Sequence, residues 1–255
     1  MARAVADAAC FPLIPFSNRI AEGRFRWNGR DHTIAPNFPG SDHPHPLHGF
    51  GWLAAWEVLE ASSSHALLDH CYPGGEWVWP YRAIQEVRLS PGGLELSLSL
   101  TNLGAEQMPA GIGFHPFFPR TRQTRYRGLH RGEWHNDQDC IPVKLDLGDA
   151  LRDWWDGAPV GSRNVDTVFA GREGVLEIDW PERGLGLTLE CSDSLPFTVV
   201  YTPENADWFC VEPVSHMTDA VNRDLAGSGL VSLAPQETLY GSVGIRAVAK
   251  GEDDD

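Results

Sequence analysis

A period of two in the apolar pattern is the feature that most restricts how this chain can fold. Residues 94–101 read LELSLSLT, with leucine at every second position and glutamate, serine or threonine between. Side chains of a β-strand point alternately to opposite faces, so this pattern is typical of a strand with one buried face. The sequence therefore predicts antiparallel sheets that pack their apolar faces together.

Other short segments carry the same signal and are separated by Pro, Gly and Asp turns. Further strands are predicted at residues 25–27, 82–89, 175–180, 186–191 and 197–201. Helical periodicity supports only a turn or two, at residues 149–156 and 219–226. We therefore expect an all-β fold, a large antiparallel β-sandwich, as a single domain over residues 1–255. About residues 1–11 and 250–255 are expected to be poorly ordered.

The charge balance excludes several classes of partner. With 20 Lys and Arg against 35 Asp and Glu, the formal net charge is −15. Nucleic acids and anionic membranes bind clustered positive charge, so we expect neither as a partner. No apolar run reaches the length of a membrane span. Asp7 interrupts the apolar N-terminal segment, which argues against an export signal. Five scattered cysteines without a Cys-x-x-Cys pair favour a reducing cytoplasm over a disulfide framework or a thiolate zinc site.

The segment GFHPFFPR, residues 113–120, holds the first candidate for proton transfer, His115. Its prolines lack backbone donors and restrict the preceding residues, which predicts a stiff strand end that can aim the imidazole ring. Histidine, with an unperturbed pKa of ~6.5, can donate or accept a proton near neutral pH. The alternative is a core histidine held by a backbone carbonyl.

Two acids in the second half of the chain are further candidates. Glu212 lies in the otherwise apolar segment WFCVEPV, on the same predicted face as Trp208 and Cys210. Burial there should push its pKa upward, toward the range of a general base near pH 7. The alternative is a buried ion pair with an arginine such as Arg19. For Asp166, between β-branched residues, the alternative is an acid that caps a turn.

Polar residues near the N-terminus also suggest a site. Asn18 and Arg19 form a polar insert between apolar neighbours, and Arg19 is a candidate for pointing into a cleft, the alternative being an ion pair at the surface. Residues 43–48 contain His43, His45 and His48, which invites a metal interpretation. Prolines 44 and 46 hold this segment extended, outside a regular strand or helix, so we favour a loop that lines a polar cleft.

Four motifs in order give the chain a resemblance to a known family. SNRIAEGRF, HPLHGFGW, GFHPFFPR and VEPVSHMTDAVN, at these separations, resemble the aldose 1-epimerase (galactose mutarotase) family, in particular its bacterial branch, over about residues 12–245. The family fold is a large antiparallel β-sandwich. The family usually has a strand pair before the first motif, whereas only about fifteen residues precede it here, and an open sheet edge would favour self-association. We expect a monomer or a homodimer.

The resemblance implies a role for each candidate residue. Glu212 matches the catalytic base and His115 the catalytic acid, with His48, Arg19 and Asp166 binding sugar hydroxyls beside Asn18. Interconversion of α and β anomers needs proton removal from the anomeric hydroxyl and proton delivery to the ring oxygen. An imidazolium and a carboxylate suffice for this, so no cofactor or metal is implied. The expected pH profile is a bell, falling at low pH as the glutamate protonates and at high pH as the histidine loses its proton.

The predicted partner is a small neutral aldose such as glucose or galactose. Two other classes remain open at this level. A non-catalytic sugar-binding protein would keep an aromatic cleft but would not need an acid and a base that converge on one bond. A metal-dependent all-β enzyme would use the three histidines of residues 43–48 together.

Overall fold

Strands dominate the chain in the computed structural model, which describes residues 8–40, 43–153 and 155–249. Within these residues the strands are β1 (Cys10–Leu13), β2 (Arg24–Trp27), β3 (Arg30–Thr33), β4 (Glu57–Ala61), β5 (His65–Tyr72), β6 (Tyr81–Ser90), β7 (Gly93–Asn102), β8 (Met108–Ala110), β9 (Gly113–Pro119), β10 (Arg125–Arg127), β11 (Leu129–Asn136), β12 (Pro142–Asp153), β13 (Asp166–Ala170), β14 (Leu176–Trp180), β15 (Leu185–Cys191), β16 (Phe197–Tyr201), β17 (Trp208–Val214), β18 (Val231–Leu233) and β19 (Thr238–Ala249). The one α-helical segment that the described residues include is α1 (Leu225–Ser228). Short 3-10 turns occur at Ala21–Gly23, Gly51–Leu53, Val160–Ser162, Pro181–Arg183 and Ala220–Asn222.

Two large antiparallel sheets form the sandwich. One has seven strands in the order β1-β9-β17-β16-β13-β11-β12, and the other has eight in the order β10-β14-β15-β19-β7-β6-β5-β4. Two-stranded ribbons, β18-β8 and β2-β3, lie beside them. The predicted all-β sandwich is therefore confirmed, and each predicted strand coincides with an observed one to within about two residues.

The core lies between the two sheets and follows the alternation in the sequence. In β7 the leucines at 96, 98 and 100 are buried. From the seven-stranded sheet, Phe118 packs on Phe209 with 5.9 Å between ring centroids, and both are buried. The Trp180 indole of β14 donates a hydrogen bond to the Pro119 carbonyl at the end of β9, which ties one sheet to the other.

One predicted helix is wrong and another is shorter than expected. Residues 149–153 continue β12, which pairs with β11 as far as Leu129 opposite Asp153. Residue 154 lies outside the described residues, and 155–156 form a bend and a turn. The ladder with β11 outweighs a weak local preference for helix. The second predicted helix, at 219–226, is split into the 3-10 turn Ala220–Asn222 and the single turn of α1.

The N-terminal expectation also needs correction. Cys10 and Phe11 do not belong to a poorly ordered end, because they form the start of β1, the edge strand that pairs with β9. The predicted frayed residues 250–255 lie outside the described part of the chain. All five cysteines are free thiols. Across the described residues, the helices are too short to cross a bilayer.

Candidate active site

His115 and Glu212 meet because their strands are neighbours. Cys210 of β17 pairs with Phe117 of β9, and the same register places Glu212 opposite His115 two residues further on. Residues opposite each other on antiparallel strands share a face, with Cβ atoms roughly 5 Å apart. On the outer side, Phe11 of β1 pairs with His115. A row of side chains therefore crosses three strands on one face of the seven-stranded sheet.

A second row runs parallel to the first and ends at another predicted acid. Cys210 pairs with Tyr201 of β16, and Tyr201 pairs with Asp166 of β13. Because Cys210 lies two residues before Glu212, both rows share one face of the sheet. The opposite face carries the core residues Phe118 and Phe209. Strand alternation alone therefore places the candidate site residues on one face of the sheet and the core residues on the other.

The His115 and Glu212 side chains are in contact and nearly enclosed. Nε2 of His115 lies 3.2 Å from Oε1 of Glu212, with 9% and 3% of the two side chains exposed. Phe11 and Phe117 stack on the imidazole at centroid distances of 4.4 and 4.7 Å. His48 meets it edge-on at 5.1 Å. These rings hold the imidazole plane in place beside the carboxyl group.

Burial shifts both groups of this pair toward their uncharged forms. It raises the pKa of Glu212 well above the usual carboxyl range, with Asp166 adding to the shift and Arg19 opposing it. The predicted rise is therefore confirmed. Burial also lowers the pKa of His115 to about 3, against a smaller opposing contribution from its own backbone. The lowered pKa favours a neutral imidazole near pH 7, so the ordinary value assumed from the sequence does not apply to this buried ring.

Two polar atoms of the pair are left without a hydrogen-bond partner. They are Nδ1 of His115 and Oε2 of Glu212, and both are buried. A buried polar group without a partner costs free energy, about 1–3 kcal/mol, unless a ligand or water supplies the bond. Beyond the contribution of its own backbone, no backbone carbonyl of the described residues holds the His115 ring through Nδ1, so the alternative of a core histidine held by a backbone carbonyl is not supported.

Arg19 binds Asp166, which ties the N-terminal segment to β13. Nη2 of Arg19 lies 3.0 Å from Oδ2 of Asp166. Nη1 donates to Oδ1 of Asn18 at 3.1 Å, and Nε donates to Nε2 of His43 at 3.2 Å. The alternative partner for Arg19, a buried ion pair with Glu212, is therefore wrong. Asp166 likewise contacts Arg19 and does not act as a simple turn cap.

His48 is fixed by reciprocal bonds with Asn18. Its backbone N–H donates to the Asn18 carbonyl at 2.9 Å, and the Asn18 N–H donates to its Nδ1 at 3.2 Å. Nδ1 thus accepts, and Nε2 carries the ring proton. Both residues have positive φ, 60° and 55°. At Gly49, with φ 70°, an added Cβ would lie 1.9 Å from the Ile14 carbonyl oxygen, so the turn requires glycine.

The three histidines of residues 43–48 do not converge on one point. His45 accepts from the Glu22 N–H through Nδ1, whereas Nε2 of His43 accepts from Arg19 and Nδ1 of His48 from Asn18. The group of potential ligand atoms within 4.8 Å of one another that the described residues provide is a different one, His115, Cys210 and Glu212. The interpretation of this segment as a loop beside a polar cleft fits better than a metal site.

Sequence reasoning expected an aromatic cleft and placed Trp208 in it, but it missed Tyr201 and Phe11. Trp208 packs edge-on against Phe117 at 5.1 Å and against Tyr201 at 5.7 Å. Period two already put Trp208 on the face of Glu212. Tyr201 could be found only through the pairing of β16 with β13 and β17, which no local pattern reveals. Together with Phe11, these rings enclose the acid and base.

Comparisons with known proteins identify the family and the fold. The model of the aldose 1-epimerase family matches residues 2–246. YphB, an uncharacterised protein of Escherichia coli K12, is 34% identical over 255 residues, covering 94% of this chain and 84% of YphB. A crystal structure from E. coli K12, described as that of a proposed aldose 1-epimerase, has a TM-score of 0.86 at 32% identity, covering 96% of this chain and 85% of that one. A galactose mutarotase-like protein from Clostridium acetobutylicum shares the fold, with a TM-score of 0.81 at 19% identity over 94% of this chain and 79% of its own. The resemblance found in the sequence is confirmed, and this chain belongs to the aldose 1-epimerase family.

Proposed function

We propose that this protein is a mutarotase that interconverts the α and β anomers of a free hexose such as glucose or galactose. The observation that carries the proposal is the buried contact between His115 Nε2 and Glu212 Oε1 at 3.2 Å. Each residue also has one polar atom without a partner. An acid and a base are therefore available next to each other, with unused hydrogen-bonding capacity for a substrate.

The proton content of this pair suits the reaction. A neutral imidazole beside a protonated carboxyl group holds as many protons as an imidazolium beside a carboxylate. Transfer of one proton from Oε1 of Glu212 to Nε2 of His115 converts the first state into the second. A sugar hydroxyl that donates to the carboxylate and a sugar oxygen that accepts from the imidazolium stabilise the two charges, because hydrogen bonds to charged groups are stronger than those between neutral groups. The resting protein thus stores the acid and the base as an uncharged pair.

The chemical steps then balance in protons and electrons. The Glu212 carboxylate takes the proton of the anomeric hydroxyl, the bond between the anomeric carbon and the ring oxygen breaks, and the His115 imidazolium protonates that oxygen. The product is the open aldehyde. Rotation of the aldehyde and closure onto its other face, with both proton transfers reversed, give the other anomer. Each proton transfer of this kind contributes ~10²–10⁴-fold to the rate.

The surrounding charges favour a neutral sugar. Arg19 and Asp166 form a pair of opposite charges, and the resting His115–Glu212 pair is uncharged, so the charges of these four side chains sum to zero. In our proposal Arg19, Asp166, Asn18 and the Nε2–H of His48 bind hydroxyl groups. The reaction as written draws on protons alone, with no metal or nicotinamide.

Polarimetry of freshly dissolved α-glucose and α-galactose, with the uncatalysed rate subtracted, tests the proposal. Catalysed loss of optical rotation toward the equilibrium value is the expected result, and it should disappear in the Glu212→Gln variant. An aromatic cleft is also suited to sugar binding without catalysis. Saturable sugar binding with no change in the mutarotation rate would therefore replace the enzyme with a carbohydrate-binding protein.

A further inference from the structure

Cys210 adds a third potential ligand to the pair of His115 and Glu212. The three residues each offer one ligand atom, all within 4.8 Å of one another. They are 0%, 7% and 2% exposed, respectively. Cys210 and Glu212 are two residues apart in β17 and share a face, and His115 is opposite Glu212 in β9. Two rigid, paired strands therefore present all three groups.

The chemistry of the three groups is that of a zinc site. Zn²⁺ binds thiolate sulfur, imidazole nitrogen and carboxylate oxygen, usually with tetrahedral geometry. Zn–N and Zn–O bonds of ~2.0–2.1 Å imply an N···O edge of about 3.3 Å in a tetrahedron. The distance from His115 Nε2 to Glu212 Oε1 is 3.2 Å. Oε2 of Glu212, which is buried and has no partner, is an independent sign that the site accommodates a ligand.

A divalent cation would also leave this buried site uncharged. The two positive charges of the cation equal the negative charges of one thiolate and one carboxylate, and the imidazole is neutral. Binding releases two protons, one from the Cys210 thiol and one from the Glu212 carboxyl group. Isolated buried charges are costly, whereas a neutral complex avoids most of that cost. Three protein ligands leave a fourth position for water or a sugar hydroxyl.

We propose that His115, Cys210 and Glu212 form an inhibitory binding site for a thiophilic divalent cation such as Zn²⁺. A bound cation occupies the lone pairs of the imidazole and the carboxylate, so neither residue can exchange protons with a sugar. The inhibition rests on the proposed mutarotase function, whereas the binding of the cation does not. Cys210 has no part in the proton transfers. A substitution of Cys210 therefore tests cation binding separately from mutarotation.

The test uses the full chain after chelator treatment. Titration with Zn²⁺ by calorimetry should give one site per chain, and Co²⁺ should produce the near-ultraviolet absorption of a thiolate–cobalt bond. Saturating Zn²⁺ should reduce mutarotation at least tenfold, with full recovery on addition of chelator. Cys210→Ala should lose the cobalt band and the zinc inhibition, yet keep its mutarotation in chelator. Cys210→Ser, closer in volume, repeats the test if alanine destabilises the fold.

Cys191→Ala is the matched control, since this partly buried thiol lies in β15 of the other sheet. It should retain both the cobalt band and the inhibition. A cobalt band that persists in both Cys210 variants would show that Cys210 is not a ligand, and no zinc binding at all would show that the cation site does not exist. Either result would overturn the proposed cation site. Zinc binding that depends on Cys210 in a protein without mutarotation would support the site and reject the proposed function. A requirement for zinc in turnover would overturn the inhibitory role.

Discussion

Two buried glutamates on opposite faces of the seven-stranded sheet have opposite surroundings. Glu133 of β11 pairs with Phe169, which is fully buried, so it faces the core. Its carboxylate is in contact with the Arg163 guanidinium. That guanidinium in turn lies 4.8 Å from the Trp155 ring centroid. Glu212, on the other face, contacts the His115 imidazole, and one of its carboxyl oxygens has no partner.

The difference shows which of the two acids is available for chemistry. Glu133 has a permanent cation, the Arg163 guanidinium, in contact with its carboxylate, and removal of one partner of such a buried pair destabilises the fold. Glu212 lacks a permanent counter-charge and burial disfavours its anion, so it can hold a proton at rest and pass it to His115 during a reaction. Burial alone therefore does not identify a functional acid, because the partner decides what the acid can do.

The largest expected effect is on turnover when the His115–Glu212 pair is broken. Glu212→Gln and His115→Asn should each lower kcat by ~10²–10⁴-fold, because each removes one of two coupled proton transfers. The double variant should be little worse than the worse single variant, since the residues act as one unit. Glu212→Gln should keep its stability, because a neutral amide replaces a carboxyl group that is uncharged at rest. Polarimetry and urea denaturation measure the two properties.

Strictly additive losses in the double variant would mean that the two residues act on different steps. A Glu212→Gln protein with near-normal turnover would remove Glu212 from the mechanism.

The matching substitution on the other face should affect stability and spare turnover. Glu133→Gln leaves Arg163 without its carboxylate. Breaking a fully buried pair costs ~3–5 kcal/mol. Because 28% of the Arg163 side chain is exposed, we expect a smaller loss of unfolding free energy, about 2–3 kcal/mol, since solvent screens part of the charge. Urea denaturation measures the loss, and kcat per folded molecule should stay within about twofold of the parent. A fall in kcat comparable to that of Glu212→Gln would erase the distinction between the two acids.

The pH profile of turnover should show whether His115 and Glu212 act with shifted pKa values or with the ordinary values of a histidine and a glutamate. Between the pKa of His115, about 3, and the raised pKa of Glu212, the pair holds one transferable proton. Above the Glu212 pKa the pair loses that proton, and below about pH 3 it gains a second. We expect kcat/KM to fall about tenfold per pH unit on the alkaline side, with the acid limb displaced to low pH. The acid limb is therefore assigned to His115 and the alkaline limb to Glu212. With unperturbed pKa values the assignment is the reverse, with the glutamate at the acid limb and the histidine at the alkaline limb.

The measurement follows initial mutarotation rates across the pH range, with the base-catalysed background subtracted at each point. Glu133→Gln serves as the control and should give the same profile. An acid limb near ~4.3, the ordinary glutamate pKa, together with no alkaline limb, would show that Glu212 is already ionised at rest.

The sequence predicted the parts of this comparison that depend on local pattern. Alternation identified the strands and placed Glu212 in an apolar one, and prolines marked His115 as rigidly held. The contact between the two depends on the register of β9 with β17, strands almost a hundred residues apart, which no local signal encodes. For the same reason, the local sequence pattern did not reveal the ion pair of Glu133 and Arg163. Long-range pairing also overrode the predicted helix at residues 149–156, where β11 extends β12.

Among the candidate site residues, the smallest effect on turnover is expected at Arg19. Arg19→Ala removes a cation that contacts Asp166 at 3.0 Å, with 13% and 24% of the two side chains exposed. Loss of one hydrogen bond to a sugar hydroxyl should lower kcat/KM about tenfold, equal to ~1.4 kcal/mol, mostly through a higher KM. Stability should fall by about 2–3 kcal/mol, as for Glu133→Gln, because the Asp166 side chain left behind is exposed to a similar extent, 24%. Arg26→Ala, which breaks an exposed pair with Asp31, is the matched control and should leave both kcat and KM unchanged. An Arg19→Ala protein that unfolds readily but keeps its kcat/KM per folded molecule would make Arg19 a structural residue, of the same kind as Arg163.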